Sequence, residues 1–330
     1  MLTPAYRLTI GKQAIDTVHE PFGSTVVNLC VKLDMETPAD VFVLVLGQIA
    51  GLAPARDDAA KVELGYADNN EMMQVMAGKV TDVEPNLKTK RVIGYTAAEV
   101  LLRSFLDETY QGRTAGAIVR DLAGKAKVGI ANVEDGIGFP AYVIDGRRSF
   151  YLHMRDLAEL CGFDLYFNSE DKLVFEKFIK GKAVHSFQYA KHILEADIQN
   201  TPPLAGTVEA WGESPTGSKG ADAWAWLTKN FSSSKGDSGS GKPKLLLERV
   251  ALRTKAAAQT AAAADATRIR RRTLRGRLLS LGRPEVKLGD AIQIQGSPDS
   301  LMNKQFQVRS VIHRMTKPRG FTTEIGFCAI

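Results

Sequence analysis

GRPEVKLGDAIQIQGSPDSLMNKQFQVRSVIHRMTKPRGFTTEIGFCAI, Gly282–Ile330, decides the fold class. Apolar and polar residues alternate through AIQIQ, VRSVIHRM and TTEIGF, the period of two that a half-buried strand needs. A Gly289-Asp290 step stands just before the first of these strands, and polar turns separate them. Short strands in this order suit a small closed barrel. The segment carries no visible catalytic group, so it points to a scaffold.

Upstream, Ala256–Arg272 is alanine-rich and then arginine-rich, a strong helix former, and a helix is expected over residues 256–277. The run RIRRRTLRGR, Arg268–Arg277, is the sharpest charge cluster in the chain. It contains no aromatic residue for base stacking, so a solvated helix face or a protein interface is preferred over a nucleic-acid site. Further upstream, Ser232–Lys244 is dominated by Gly, Ser and Lys and reads as a mobile surface loop. Within it GDSGSGK, Gly236–Lys242, has the skeleton of a phosphate-binding loop. Pro243 stands where Ser or Thr should follow, and no hydrophobic strand precedes it, so the linker reading is kept.

Residues 1–95 read as β. STVVNLCVKLDM and DVFVLVLG are strands around a turn holding Pro38, and KVELGYADNNEMMQVMAGKVTDVEPN is a hairpin turning at Asp68-Asn69-Asn70. From residue 96 the spacing becomes helical. Thr96 with Glu99 makes a capping box for one helix, and a second starts at Thr114 with Ile118, Val119, Leu122 and Ala126 on one side. FPAYVIDG is a strand. SFYLHMRDLAELCGF is a helix capped by Ser149 and stopped by Gly162. DLYFNSEDKLVFEKF is a hairpin, and strands resume through HILEADIQNTPPLAGTVEAW.

The 330 residues allow two or three domains, and the formal net charge of +6 is mildly basic. Cys30, Cys161 and Cys328 are far apart and odd in number, which indicates free buried thiols in a reducing compartment. No secretory signal is visible at the start. The longest apolar run, Val41–Ala55, is interrupted by Gly47, Gln48 and Gly51 and is too short to span a membrane, so a protein made in the cytoplasm is expected. His19, His153, His185, His192 and His313 form no HExxH or other ligand spacing. Glu134-Asp135 and Glu170-Asp171 read as solvated turn charges rather than a hydrolytic pair. The residues therefore indicate no enzyme, no catalytic or metal site and no cofactor.

Several segments together resemble the phage late control D, or gp27-like, baseplate hub family of contractile tails and injection systems, and the hub part of type VI secretion spike proteins. They are KVELGYADNNEMMQVMAGKVTDVEP, YQGRTAGAIVRDLAGKAKV, FPAYVIDGRRSFYLHMRDLAELCGFDLYFNSEDKLVFEKF, and LGRPEVKLGDAIQIQG with NKQFQVRSVIHRMTKPRGFTTEIGF. The match runs from about Val62 to the C-terminus.

The resemblance implies a β-rich α+β fold with two gp27-like β-barrel domains around a helical and mixed segment. Their expected bounds are residues 1–95, 96–182 and 183–330. It also implies a structural virion or injection-particle component, a homotrimer that adapts the six-fold tail tube to the three-fold spike. The expected partners are a separate spike protein, the tail tube or its initiator, and other baseplate components. Candidate interface residues are Arg268, Arg270, Arg271, Arg272, Arg275 and Arg277, and, in the last strand, Phe321, Ile325 and Phe327. The rival readings are a tail-associated cell-wall hydrolase and a nucleic-acid binder using the arginine run.

Overall fold

The computed structural model describes residues 2–20, 25–47, 52–69, 71–181, 183–212 and 235–330. Its N-terminal third is β: β1 (Pro4–Ile10), β2 (Gln13–Asp16), β3 (Val26–Asp34), β4 (Val41–Gly47), β5 (Ala59–Tyr66), β6 (Glu71–Pro85) and β7 (Thr89–Tyr95). The middle holds α1 (Ala98–Leu102), β8 (Glu108–Thr114), α2 (Ala115–Lys125), β9 (Ile130–Val133), β10 (Gly138–Ile144), α3 (Phe150–Cys161), β11 (Asp164–Phe167) and β12 (Leu173–Glu176). The last part comprises β13 (Val184–Gln188), β14 (Ile193–Asn200), β15 (Thr207–Trp211), β16 (Gly236–Gly239), β17 (Lys244–Glu248), α4 (Lys255–Thr273), β18 (Leu274–Leu281), β19 (Ala291–Gln295), β20 (Gln305–Thr316) and β21 (Gly320–Ala329). The chain is thus β-rich α+β, with mostly antiparallel sheets.

Among the described residues one large sheet runs in the order β14-β18-β21-β20-β3-β4-β7-β6-β5-β1-β2, with β19 also on β20 and β13 on β19. Two long strands make this possible because each changes neighbour along its length. β20 pairs with β19 through Gln305–Gln307 and with β3 through Ser310–Thr316, on either side of an irregularity at Val308/Ser310. β6 pairs first with β5 and then with β7. Bulged strands bend and twist sharply, which lets one sheet curl around a core.

The β3–β20 ladder therefore joins residues 1–95 and 183–330 in one sheet. Among the described residues the hydrogen-bonded order ends at β14, β2 and, through β19, at β13, so the strands of Gly282–Ile330 form part of this larger sheet.

Two hydrophobic cores result. The first lies inside the large sheet and mixes both ends of the chain: Leu8, Leu29, Phe42 and Leu64 pack with Phe187, Ile292, Phe306 and Phe327. The second joins the middle segment (Leu101, Ile118, Leu122, Phe139, Leu157, Phe175) to Val208, Ala210, Leu252 and the alanine face of α4. The stretch from β15 to α4 thus packs with the middle segment. The reason lies in α4: Ala257, Ala258, Ala261 and Ala262 are buried, and small side chains let β16 and α3 approach closely.

Local signals meet mixed outcomes. The Thr114 cap forms, its hydroxyl accepting from Ala117 N at 3.1 Å. Gly162 ends α3 in the left-handed region at φ 70°. The Thr96–Glu99 capping box does not form, because α1 starts after Ala97 and the Thr96 hydroxyl is buried without a partner. Ser149 is the N-cap residue of α3 but its hydroxyl makes no capping bond. The helical spacing expected from residue 96 onward is interrupted by β8, which the cross-strand pair Tyr110–Tyr142 holds in a sheet.

The expected loop over 232–244 is corrected in part. Ser232–Ser234 lie outside the described residues, but Gly236–Gly239 form β16 against β15. A Cβ on Gly236 would meet the Ala258 backbone at 2.2 Å, so glycine serves here as a close contact between strand and helix rather than as a flexible linker. The same strand excludes the strand–loop–helix geometry of a phosphate-binding loop.

A candidate protein interface lined by arginines

The arginine run does not lie on one helix. α4 ends at Thr273, and Leu274 enters a strand, so the expected helix over 256–277 is four residues too long. Inward packing decides this: Leu274 and Leu278 alternate into the sheet's core. Three arginines in the last helical turn, Arg270, Arg271 and Arg272, complement the negative end of the helix dipole. Arg275 and Arg277 then point outward from β18 and are exposed.

This change of element opens a cleft of ≈ 630 Å³ between the two cores, walled by the C-terminal half of α4, the end of α3, the loop after β3, and strands β14, β18 and β20. Arg268, Arg271, Arg272, Arg275 and Arg277 line it. Arg270 lies outside it, donating to Thr267 Oγ1 at 3.1 Å. Of the six arginines expected at an interface, the fold brings five together.

Glu36 is the electrostatic centre of the cleft. It accepts from Arg309 Nη2 at 2.8 Å, with Arg272 at 3.5 Å and Arg155 at 3.8 Å. Burial acts to raise the Glu36 carboxyl, but Arg309, Arg272 and Arg155 outweigh it and hold it below its ordinary value. Arg309 also donates to Asp164, Arg268 is paired with Asp265 and Glu159, and Arg277 with Asp197. None of Glu36, Arg155, Asp164 or Arg309 was visible as a site residue, because no local pattern marks residues that meet only through the β3–β20 join.

Phe321, Ile325 and Phe327 are corrected. They are 2 %, 0 % and 2 % exposed and form part of the core inside the large sheet. Alternation along β21 turns these apolar residues inward, and β18 and β20 cover both edges of the strand. They hold the fold, and Phe327 also lines the arginine cleft.

The other candidate groups settle into structural places. His153 Nε2 lies 3.0 Å from the Asp145 carbonyl oxygen. His313 is buried beside Thr323, with Nδ1 2.9 Å from its hydroxyl. Burial raises the thiols of Cys161 and Cys328 to about 11, which leaves them protonated and unreactive near neutral pH. Asp171 is not the solvated turn charge expected: it accepts from Ala97 N at 2.6 Å and is pushed up to about 6 by burial. Among the described residues no helix is long and apolar enough to cross a membrane.

No protein-family model matches the chain, and no curated protein matches it. Solved structures do. The 43 kDa tail protein of prophage MuSo2 from Shewanella oneidensis superposes with a TM-score of 0.74 at 15% identity, over 99% of this chain and 98% of that one. A tail protein from Neisseria meningitidis MC58 gives 0.74 at 13% identity, over 99% and 96%. This chain has the phage tail-protein fold. The same fold appears in an Escherichia coli type VI secretion component described as structurally similar to the T4 tail proteins gp27 and gp5, with a TM-score of 0.58 at 12% identity over 98% of this chain and 76% of that one. The resemblance to gp27-like hubs therefore holds at the level of the tail-protein fold.

Proposed function

We propose that this chain is a non-enzymatic baseplate hub of a contractile phage tail or a phage-like injection system. In this reading it acts as a homotrimer between the tail tube and the spike. The observation that carries the reading is the likeness of the fold, over 99% of the chain, to a prophage tail protein and to a second tail protein. The β-rich halves, β1–β7 and β13–β14 with β18–β21, would each offer a comparable surface, so three chains would present six.

The surface of the protein supports an assembly. β14 is an edge strand with one side of its backbone unpaired among the described residues. Beside it lies a groove of ≈ 520 Å³ where Leu2, Met73, Leu194 and Leu281 are exposed, between 39% and 55% each. Unpaired edges and apolar grooves are hazards for a monomer and docking features in a ring.

Light scattering after size exclusion tests the reading. At micromolar concentration a particle three times the 36.0 kDa chain mass is expected, and it should co-elute with a cognate spike protein. A chain that stays monomeric with the spike present would sink it.

A further inference from the structure

The arginine cleft holds more positive charge than its own carboxylates neutralise. Seven arginines and five carboxylates line it. Five of the arginines have an acidic partner within ion-pair distance. The remaining two are Arg271 and Arg275, and among the described residues neither makes an ion pair. Arg271 lies over the Phe178 ring at 5.5 Å, and its Nε is buried with no acceptor among the described residues. Arg275 Nε donates over 3.3 Å to Gln199 Oε1. A buried donor of a charged group without an acceptor is costly, and an incoming anion relieves that cost.

We propose that this cleft is a docking site for an acidic peptide segment of a partner protein, with partner carboxylates seated on Arg271 and Arg275. Guanidinium groups bind carboxylates in planar, two-pronged geometry, so two free arginines are suited to one or two acidic side chains. The volume falls in the range of sites that enclose small ligands, which a short stretch of peptide fits.

Nucleic acid is the less suited occupant. Its phosphates follow one another closely, and a strand laid along the cleft would meet Asp34, Glu36, Glu159 and Asp197 as well as the arginines. Of the aromatic residues that line the cleft, Tyr151 and Phe327 are buried and Phe163 is half-buried with its ring packed on Phe175, so none presents an open face for base stacking. A peptide can space its carboxylates to match the two free arginines and keep the others away from the acids. The inference does not depend on the hub reading. It requires only a partner with an accessible acidic segment.

Fluorescence anisotropy on the full chain tests it, with a labelled peptide alternating Glu and Gly, the same peptide with Gln for Glu, and a labelled oligothymidine. The acidic peptide is expected to bind, the Gln peptide not to bind, and added salt to weaken the complex. The double variant Arg271→Gln/Arg275→Gln should weaken binding by about tenfold or more. Arg319→Gln, exposed and away from the cleft, should leave it unchanged. Arg271 also packs on Phe178, so a second variant keeps every arginine: Thr267→Glu places a competing carboxylate in the cleft and should weaken binding likewise. Absence of binding, equal binding of the Gln peptide, tighter binding of the oligonucleotide, or full affinity in Thr267→Glu would each overturn the proposal.

Discussion

Arg309 on β20 donates through Nη1 to Oδ1 of Asp164, the first residue of β11, at 2.5 Å, and this pair bridges the two hydrophobic cores. Gln307 Nε2 completes the Asp164 carboxylate from the same strand, 2.5 Å from Oδ2. Asp164 is 6% exposed. Breaking a pair this deep leaves a buried charge with fewer partners. Arg309→Met is expected to cost about 3 kcal/mol. Asp164→Asn should cost about half that, because Arg309 keeps Glu36. Urea denaturation reads both, and equal losses would contradict the proposed order.

Asp40 makes stability fall as pH rises. Burial pushes its carboxyl up to about 8, the Asp34 backbone N–H opposes this, and the charges of Asp34 and Asp171 add to it. The folded state then keeps a proton that the unfolded chain, near 3.8, gives up. The contribution is full below the unfolded value and is lost as pH climbs toward about 8. Asp40→Asn should match the wild type below pH ~3.8 and be the more stable protein above pH ~8. Guanidinium melts at the two extremes would show it, and an unchanged difference would contradict it.

His313 acts in the opposite direction. Burial lowers it from 6.5 to about 3, so the unfolded chain binds a proton that the folded one refuses. Its effect is absent above the unfolded value and grows as pH falls toward about 3. His313→Gln should flatten the stability curve in that window, whatever its cost at neutral pH. Acid titration followed by circular dichroism measures the slope.

Gly282 leaves space for an aromatic ring. A Cβ there would stand 2.0 Å from Cδ1 of Phe321, whose ring also packs on Tyr66 with centroids 5.8 Å apart. Gly282→Ala should destabilise by about 2 kcal/mol through overpacking. Phe321→Leu should recover part of that loss in the double variant, a coupling that independent sites would not show.

β21 lies between β18 and β20, so deleting Phe321–Ile330 removes a central strand. The truncated chain is expected to lose cooperative thermal unfolding and to be cleaved rapidly by protease. A cooperative melt in the truncated protein would make β21 peripheral, contrary to its place in the sheet.

Short-range patterns were legible where neighbours in sequence are neighbours in space. The hairpins β5–β6 and β11–β12 rest on alternation and a polar turn, and Asn168 closes the second by accepting from Glu170 N and Lys172 N at 3.0 Å each. α2 and α3 carry helical apolar spacing, a Thr114 cap and a Gly162 stop. β16 was illegible, because Gly236–Gly239 has no strand-forming composition and gains its strand from β15 and from a close approach to α4.

The amino-acid order by itself determined the alternating strands of Gly282–Ile330, the two amphipathic helices, and an arginine run with no aromatic partner within it. Only the tertiary structure decided that β20 pairs with β3 nearly three hundred residues away, that Phe321, Ile325 and Phe327 fill a core, and that Arg309, Glu36 and Asp164 meet beside Arg271 and Arg275. The physical reason is range. Alternation and capping act over a few residues, whereas burial and ion pairing depend on which distant surfaces the chain can bring together.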